Sequence, residues 1–529
     1  MAPREGPGSG LPDTWGRPMP QGLVAGSARA HGGNSMSAGA PLEQGALFIG
    51  GRWIPSSSDR WADVVDPSTG RPFGRVPIGS KEDAKAAVDA AAVAADRWAA
   101  TPGHERARIL RRASELLAAQ QEEMARVIAR EVGKPITDAR VESARASMTY
   151  GFASEEIRQL TGESFPADAY AHPPGNESRF LFTVRDPIGV VVAISPFNFP
   201  LNLLSHKVAP ALAAGNPVVA KPTSVAPFTA LLLAHILEKA GVPSGVFNVV
   251  IGPGKDVGNT LIEHPSTRLI TFTGSTEVGK GIAALAGRHA KRVILEMGGM
   301  DPFIVLDDAP IESTAAAAAR GIFTYSGQVC TASKRLIVSD GIADRFARAL
   351  SERARALVVG PAQEDRTQVG PLIDPEALDR MDRMVQDARS RSATVLTGGE
   401  RASDVGSGYF YRPTVLDHVP PNADVARMEP FGPLAPILRV PDEDAAIEIA
   451  NQTEYGLQAA IYTNDLRKAL RLAKRIRAGG VHVNDPTNLR WDALPFGGVK
   501  ESGLGREGLR YAMQEMTEVK LISLNFAAP

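Results

Sequence analysis

PIGVVVAISPFNFP occupies residues 187–200, and RLITFTGS and RVILEMGG follow at 268–275 and 292–299. Each opens on a short apolar, largely β-branched run and stops at Ser, Gly or Pro. Between them lie PVVAKP at 217–222 and VFNVVIG at 246–252. The joining stretches have helical character, near Asn202 to Ala214, Pro227 to Ala240, Asp256 to His264 and Glu277 to Ala286. Apolar strands alternating with helices predict a parallel sheet covered on both faces. This is an α/β, Rossmann-like arrangement, which binds ligands beyond the carboxyl ends of its strands.

The alternation resumes after Gly299. FIVL (303–306), an Ala-rich helix, RLIVSD (335–340), a helix near Asp344 to Val358, AAIYT (459–463), a helix near Leu466 to Arg477 and GVHVN (480–484) form a second α/β unit. Upstream, GALFIGGRWI (45–54) reads as a hairpin turning at Gly50-Gly51. Ser80 opens a helix with Glu82 and Asp83 in its first turn. A single helix is expected from about Glu105 to Glu131, stopping at Gly133 and Pro135, and another from about Asp138 to Leu160. The terminal strand VKLISLNF (519–526) has nothing after it to pair with, which suggests docking onto a neighbouring sheet, of its own or another subunit. Residues 1–44, rich in Gly, Pro, Ala and Ser, read as a disordered tail with no secretory apolar core, and Met36 is a candidate true start.

A net charge of −1 over 529 residues offers no basic field for nucleic acid. No apolar run is long enough for a membrane span. Cys330 is the only cysteine, which excludes an internal disulfide and a multi-cysteine zinc site; no metal is expected, and a reducing, cytoplasmic setting is.

Four places can carry chemistry. Cys330, in FTYSGQVCTASKR (323–335), is either a nucleophile or a buried spare thiol. Glu296 ends an apolar strand, where a carboxylate is either used or satisfied by loop N–H groups. Asn198 lies between Phe197 and Phe199 and either holds an oxyanion or ties a turn. Gly274, Ser275 and Thr276 begin a helix that either receives a pyrophosphate or is simply capped.

Taken together, SPFNFP, VVAKP, FTGS, LEMGG, GQVC, EPFGP and PFGGVKESGLGRE, in that order, resemble the NAD(P)-dependent aldehyde dehydrogenase superfamily from about Leu47 to Phe526. The resemblance implies a cofactor domain over 45–167 and 187–299, a catalytic domain over 300–500, and a small β oligomerisation arm over 168–186 with 501–529. It implies a homodimer or homotetramer acting on a small-molecule aldehyde, with no nucleic-acid or membrane partner. Cys330 becomes the nucleophile, Asn198 the oxyanion donor and Glu296 the base that hydrolyses the thioester. Lys207 and Glu507 match a proton relay behind that base. Ser195, Pro196, Phe197, Lys221, Gly254, Gly274, Ser275, Gly298, Glu429 and Phe431 match the cofactor site. Leu203, His206, Val329 and Thr331 flank the aldehyde channel.

One departure bears on the cofactor. Strongly NAD-selective members carry a glutamate where this chain has Ser224, so NADP is expected to be accepted or preferred. NDPTNLRWDALPFGG (484–498) and EMTEVKLISLNF (515–526) look most like the lactaldehyde and small-semialdehyde branch. The expected substrate is therefore a small aliphatic, hydroxy- or semialdehyde. Arg490 either meets a substrate carboxylate or sulfonate or forms a structural ion pair. Val329 offers no charge, which weighs against a phosphorylated aldehyde oxidised without phosphorylation. Glu296 weighs against a coenzyme-A-acylating enzyme, and the lack of a histidine near Cys330 in sequence against a thiol hydrolase. Retention of Cys330, Glu296 and Asn198 weighs against a non-catalytic relative.

Overall fold

A computed structural model describes residues 44–527. The expected tail over 1–43 and Met36 lie outside the described residues. The first sheet is built on five parallel strands. Val190–Ile194 lies at the centre, Val218–Lys221 and Phe247–Val249 continue to one side, and Thr267–Thr273 and Arg292–Glu296 to the other. The chain therefore reverses its direction of winding between Val190–Ile194 and Thr267–Thr273. Loops leaving the carboxyl ends of those two strands diverge there and open a crevice. Helices Asn202–Ala214 and Pro227–Ala240 pack against the sheet under an outer layer of helices from 103 to 156, while Lys81–Ala99, Asn259–Glu263 and Thr276–Arg288 form a separate packed group. All five residues of Val190–Ile194 are buried, as a strand covered on both faces must be.

Antiparallel additions close both edges. Leu47–Ile49 and Arg52–Ile54 form the expected hairpin, with Gly50 and Gly51 at φ of 62° and 76°. Gly503–Leu504 pairs with Arg292–Glu296 on the other edge. The helix Leu509–Glu515 then packs on Asn202–Ala214, and Leu509, Ala512 and Met513 join the core of this first sheet.

Ser80 caps its helix as expected, in a reciprocal box with Asp83. The single helix expected from Glu105 to Glu131 is two, Gly103–Ala119 and Gln121–Val132. Gln120 leaves helical geometry at φ −108°, and Glu122 and Glu123 open the second helix with acidic groups that suit its N-terminus. The apolar spacing runs through this break unchanged, since Ile109, Leu110, Leu117, Met124 and Ile128 are all buried.

The second sheet runs Thr394–Thr397, Thr414–Asp417, Leu434–Val440, Arg335–Ser339, Pro302–Val305, Gln458–Tyr462, Gly480–Val483, parallel except at its first pair. The segment between 359 and 445, for which the sequence offers no element, supplies three of these strands and the helix Pro375–Ser390.

A third sheet joins Thr517–Asn525, Arg179–Pro187 and Ser164–Phe165. The terminal strand thus has its partner within its own chain. It pairs along its full length, from Thr517 opposite Pro187 to Asn525 opposite Arg179. Val519, Leu521 and Leu524 remain exposed on it. Among the described residues no helix is long and apolar enough to cross a membrane.

Candidate active site

Three loops from the carboxyl edge of the first sheet meet a turn that precedes a strand of the second. Glu296 is the last residue of Arg292–Glu296, and Met297, Gly298 and Gly299 carry the chain from one sheet to the other. An added Cβ on Gly299 would lie 2.9 Å from the Cys330 carbonyl oxygen and 2.7 Å from Asp301 Oδ1. Only glycine lets the strand end lie so close to the cysteine turn.

That turn is unusual. Tyr325, Ser326 and Gly327 all have positive φ, at 47°, 55° and 73°. Two non-glycine residues in this region are costly unless the surroundings hold them. Here they are held: Tyr325 donates its hydroxyl to the Val132 carbonyl at 2.8 Å, and Ser326 donates to the Gly370 carbonyl at 2.7 Å. The Gln328 amide donates to Pro371 and accepts from the Ile373 N–H. At Gly327 a Cβ would sit 2.2 Å from the Gly432 carbonyl oxygen.

Asn198 lies opposite. Its Nδ2 donates to the Gln328 carbonyl at 3.0 Å, while its Oδ1 is buried without a partner. One amide N–H is thus committed and a second is free. Glu296 is buried, and neither oxygen has a well-aligned hydrogen bond. Burial pushes its carboxyl up to about 7; Glu507 adds to the push, and the Cys330 thiol, Lys207 and Arg490 oppose it. Burial and the Glu296 charge together push the Cys330 thiol well above its usual range, against the pull of Lys334.

Behind Glu296 stands a buried charge network. Lys207 Nζ donates to Glu507 at 2.6 Å and to Thr273 Oγ1 at 2.7 Å. Arg490 donates to the other Glu507 oxygen at 3.0 Å and stacks 3.8 Å from the Phe496 ring centre. Burial alone would raise Glu507, but Lys207 and Arg490 outweigh it and hold the carboxyl at about 2. Of the two roles open to Arg490, the ion pair is therefore present, although its Nε remains buried and unpartnered. His206 Nε2 lies 3.0 Å from Asp492, which also binds Arg145 at 2.5 Å; His206 Nδ1 has no partner. Burial brings this imidazole down to about 4, so it is neutral near neutral pH. Leu203, Val329 and Thr331 are buried nearby in the chain.

Most of the remaining sequence candidates follow the carboxyl ends of the first sheet's strands. Ser195 Oγ is buried and unpartnered. Phe197 meets Phe431 edge-on at 5.8 Å, joining SPFNFP to EPFGP across the two sheets. Lys221 ends its strand buried, and burial alone brings its ammonium down to about 8. Ser224 lies half-buried in the following loop. Ser275 starts the helix Thr276–Arg288 without capping it through its side chain, so the N–H groups of that turn are unclaimed by a cap. Gly274 donates its N–H to the Glu296 carbonyl at 3.1 Å. Gly254 opens a π-helical turn, Gly254–Gly258. A Cβ on Gly298 would lie 2.7 Å from Glu429 Oε2. An orphan hydroxyl, an uncapped helix start, a desolvated lysine and a close-approach glycine suit a dinucleotide with a pyrophosphate and ribose hydroxyls.

Several residues escape sequence reading. Lys334 is buried, lies 3.0 Å from Glu429 and donates to the Cys330 carbonyl. It stands in the same quoted stretch as Cys330, but a lysine there carries no visible signal of burial. Thr273, Arg145 and Asp492 become relevant only through packing.

The aldehyde dehydrogenase family model matches residues 53–522. The chain is 40% identical to a 3-sulfolactaldehyde dehydrogenase of Priestia aryabhattai, over 92% of this chain and 98% of that protein. It is 39% identical to the succinate-semialdehyde dehydrogenase [NADP(+)] GabD of Escherichia coli, over 90% and 97%. The crystal structure of betaine aldehyde dehydrogenase from Staphylococcus aureus in complex with NAD+ is similar with a TM-score of 0.87 and 30% identity, over 92% of this chain and 95% of that one.

Proposed function

The chain belongs to the aldehyde dehydrogenase family, and on that premise we propose that it oxidises a small aliphatic hydroxy- or semialdehyde to its acid through a thioester on Cys330. It is an oxidoreductase that uses NAD or NADP. The observation that carries the mechanism is the meeting of Cys330, Asn198 and an otherwise unpartnered Glu296 at the junction of the two sheets.

In this reading Glu296 takes the Cys330 thiol proton and passes it to solvent, and the sulfur attacks the aldehyde carbon, forming a C–S bond as the C=O electrons move to oxygen. The free Asn198 N–H and the Cys330 backbone N–H stabilise that oxyanion. A bound dinucleotide supplies the hydride acceptor. Ser195, Pro196, Phe197, Lys221, Gly254, Gly274, Ser275, Gly298, Glu429 and Phe431 would hold it. Collapse of the oxyanion leaves the acyl group on sulfur. Glu296, held near 7, takes a proton from water as the water oxygen attacks the thioester; the C–S bond breaks, and the departing Cys330 sulfur takes that proton from Glu296. Lys207 and Glu507 fix the charge field behind it.

The substrate proposal extends to an aldehyde with a distal carboxylate or sulfonate. One buried donor without a partner, Arg490 Nε, supports it, as do the substrates named for the two sequence relatives. The first sheet would form the cofactor domain, the second the catalytic domain, and the exposed strand Thr517–Asn525 an assembly surface for a second copy, in the cytoplasm. The test is formation of reduced cofactor from a panel of neutral, carboxylated, sulfonated and phosphorylated aldehydes, with NAD and with NADP. Acid formation without coenzyme A, abolished in Cys330→Ala, is expected. Undiminished turnover in Cys330→Ala would refute the mechanism, and a preference for neutral aldehydes the anionic tail.

A further inference from the structure

Asn198 and Cys330 belong to different sheets, and nothing in either loop alone sets their spacing. A third segment touches both. Gly133, at φ 67°, ends the helix Gln121–Val132, and the chain passes through Lys134 and Pro135 into Ile136–Glu156. Lys134 and Glu142 from this segment form an ion pair whose side chains are 0% exposed. Isolating two charges from water is expensive, and removing either partner of such a pair leaves an uncompensated buried charge.

Each partner reaches one side of the reacting centre. Glu142 Oε1 accepts from the Leu201 N–H at 3.0 Å and the Asn202 N–H at 3.1 Å. These are the uncapped first donors of the helix Asn202–Ala214, which has no side-chain cap of its own. Glu142 thereby anchors the loop that carries Asn198. Lys134 Nζ sits 3.5 Å from the ring centre of Phe199, the neighbour of Asn198, and 4.6 Å from that of Tyr325. The two rings meet edge-on at 6.2 Å. Tyr325 begins the positive-φ run that delivers Cys330, and its N–H donates to Asp138 Oδ2 at 3.2 Å. The ammonium is thus shared between the aromatic side chains of the two loops, an arrangement that stabilises a desolvated cation.

We propose that the buried Lys134–Glu142 pair is a positioning device that sets the distance between the Asn198 amide and the Cys330 sulfur, and so controls formation of the thioester. Neither residue contacts substrate. The inference rests on the catalytic reading of Cys330 and Asn198 given above. Misplacement of reacting groups by about 1 Å costs on the order of a hundredfold in rate.

The experiment uses the full-length double variant Lys134→Met/Glu142→Gln, which keeps side-chain volume and leaves an amide oxygen to accept from Leu201 and Asn202. Expected are a burst rate of cofactor reduction lowered at least about tenfold, dinucleotide affinity within about twofold by fluorescence titration, and an unshifted pH limb for thioester hydrolysis. Lys134→Arg, which restores the cation, is expected to recover part of the burst rate. A folded double variant with the parent burst rate overturns the proposal. So does a variant in which dinucleotide affinity falls as much as the burst rate, because the pair would then only hold the fold. If the double variant does not fold, Tyr325→Phe, which deletes only the bond to the Val132 carbonyl, decides instead. The same split supports the proposal and an unchanged burst rate overturns it. The failure of Cys330→Ala to abolish turnover would instead sink the catalytic reading itself.

Discussion

Asn198 gives one side-chain N–H to the carbonyl oxygen of Gln328, 3.0 Å away and two residues before Cys330. The bond ties the SPFNFP loop of the first sheet to the turn that carries Cys330 in the second, the proposed oxyanion donor to the proposed nucleophile. It leaves the other N–H of the same amide for the developing charge. Asn198→Ala is expected to lower kcat by roughly a hundredfold to a thousandfold, the usual cost of one lost oxyanion donor, with dinucleotide affinity little changed. Steady-state kinetics with a fluorescence titration of cofactor measures both.

Glu296 separates the two halves of the reaction. Glu296→Gln is expected to keep a burst of about one reduced cofactor per site and to slow later turnover by about a hundredfold or more. The pH dependence follows from the direction of its shift. Burial lifts the carboxyl to about 7, and the base works only when ionised, so hydrolysis rises as pH passes upward through about 7. Rapid-mixing measurements across that range are expected to lose this limb in Glu296→Gln; an unchanged limb would assign it to another group.

Cofactor choice is tested at Ser224, half-buried in the loop after Lys221. A carboxylate there would face any 2′-phosphate near the lysine, and like charges disfavour such an approach. Ser224→Glu is expected to reduce kcat/KM for NADP at least about tenfold while sparing NAD. Equal effects on both cofactors would remove Ser224 from the ribose site.

Stability toward acid is expected to depend on Glu507. Its folded carboxyl is held at about 2 by Lys207 and Arg490, below the ordinary value of 4.5. A depressed carboxyl contributes stability above the unfolded value and loses it as pH falls through the folded one. Thermal denaturation followed from pH 5 downward should show that loss, and Glu507→Gln should flatten it. Glu507→Gln also leaves two buried cations without their anion, at a cost of about 3–5 kcal/mol near neutral pH.

Much of the molecule was legible beforehand because the signals were local. Val190–Ile194, Asn202–Ala214 and Pro227–Ala240 announce themselves through uninterrupted apolar runs, helical spacing and closing glycines. The break at Gln120 was not legible, because the buried face continues across it without a change of period. The terminal strand docks onto a sheet as expected, but which strand receives it does not show in its own residues. Its partner Arg179–Pro187 is more than three hundred residues away, and pairing at that separation leaves no mark in the strand itself.

The sequence by itself determined the α/β class and the family and supplied the candidate reacting side chains, because these depend on periodicity and on residue type within short motifs. Tertiary structure decided what those side chains experience. The Glu296 carboxyl is lifted toward neutrality only because the fold buries it, and Lys207 becomes a partner of Glu507 only because a segment three hundred residues away folds behind the strand end. Burial and charge pairing are sums over neighbours from the whole chain, and no single stretch of sequence contains them.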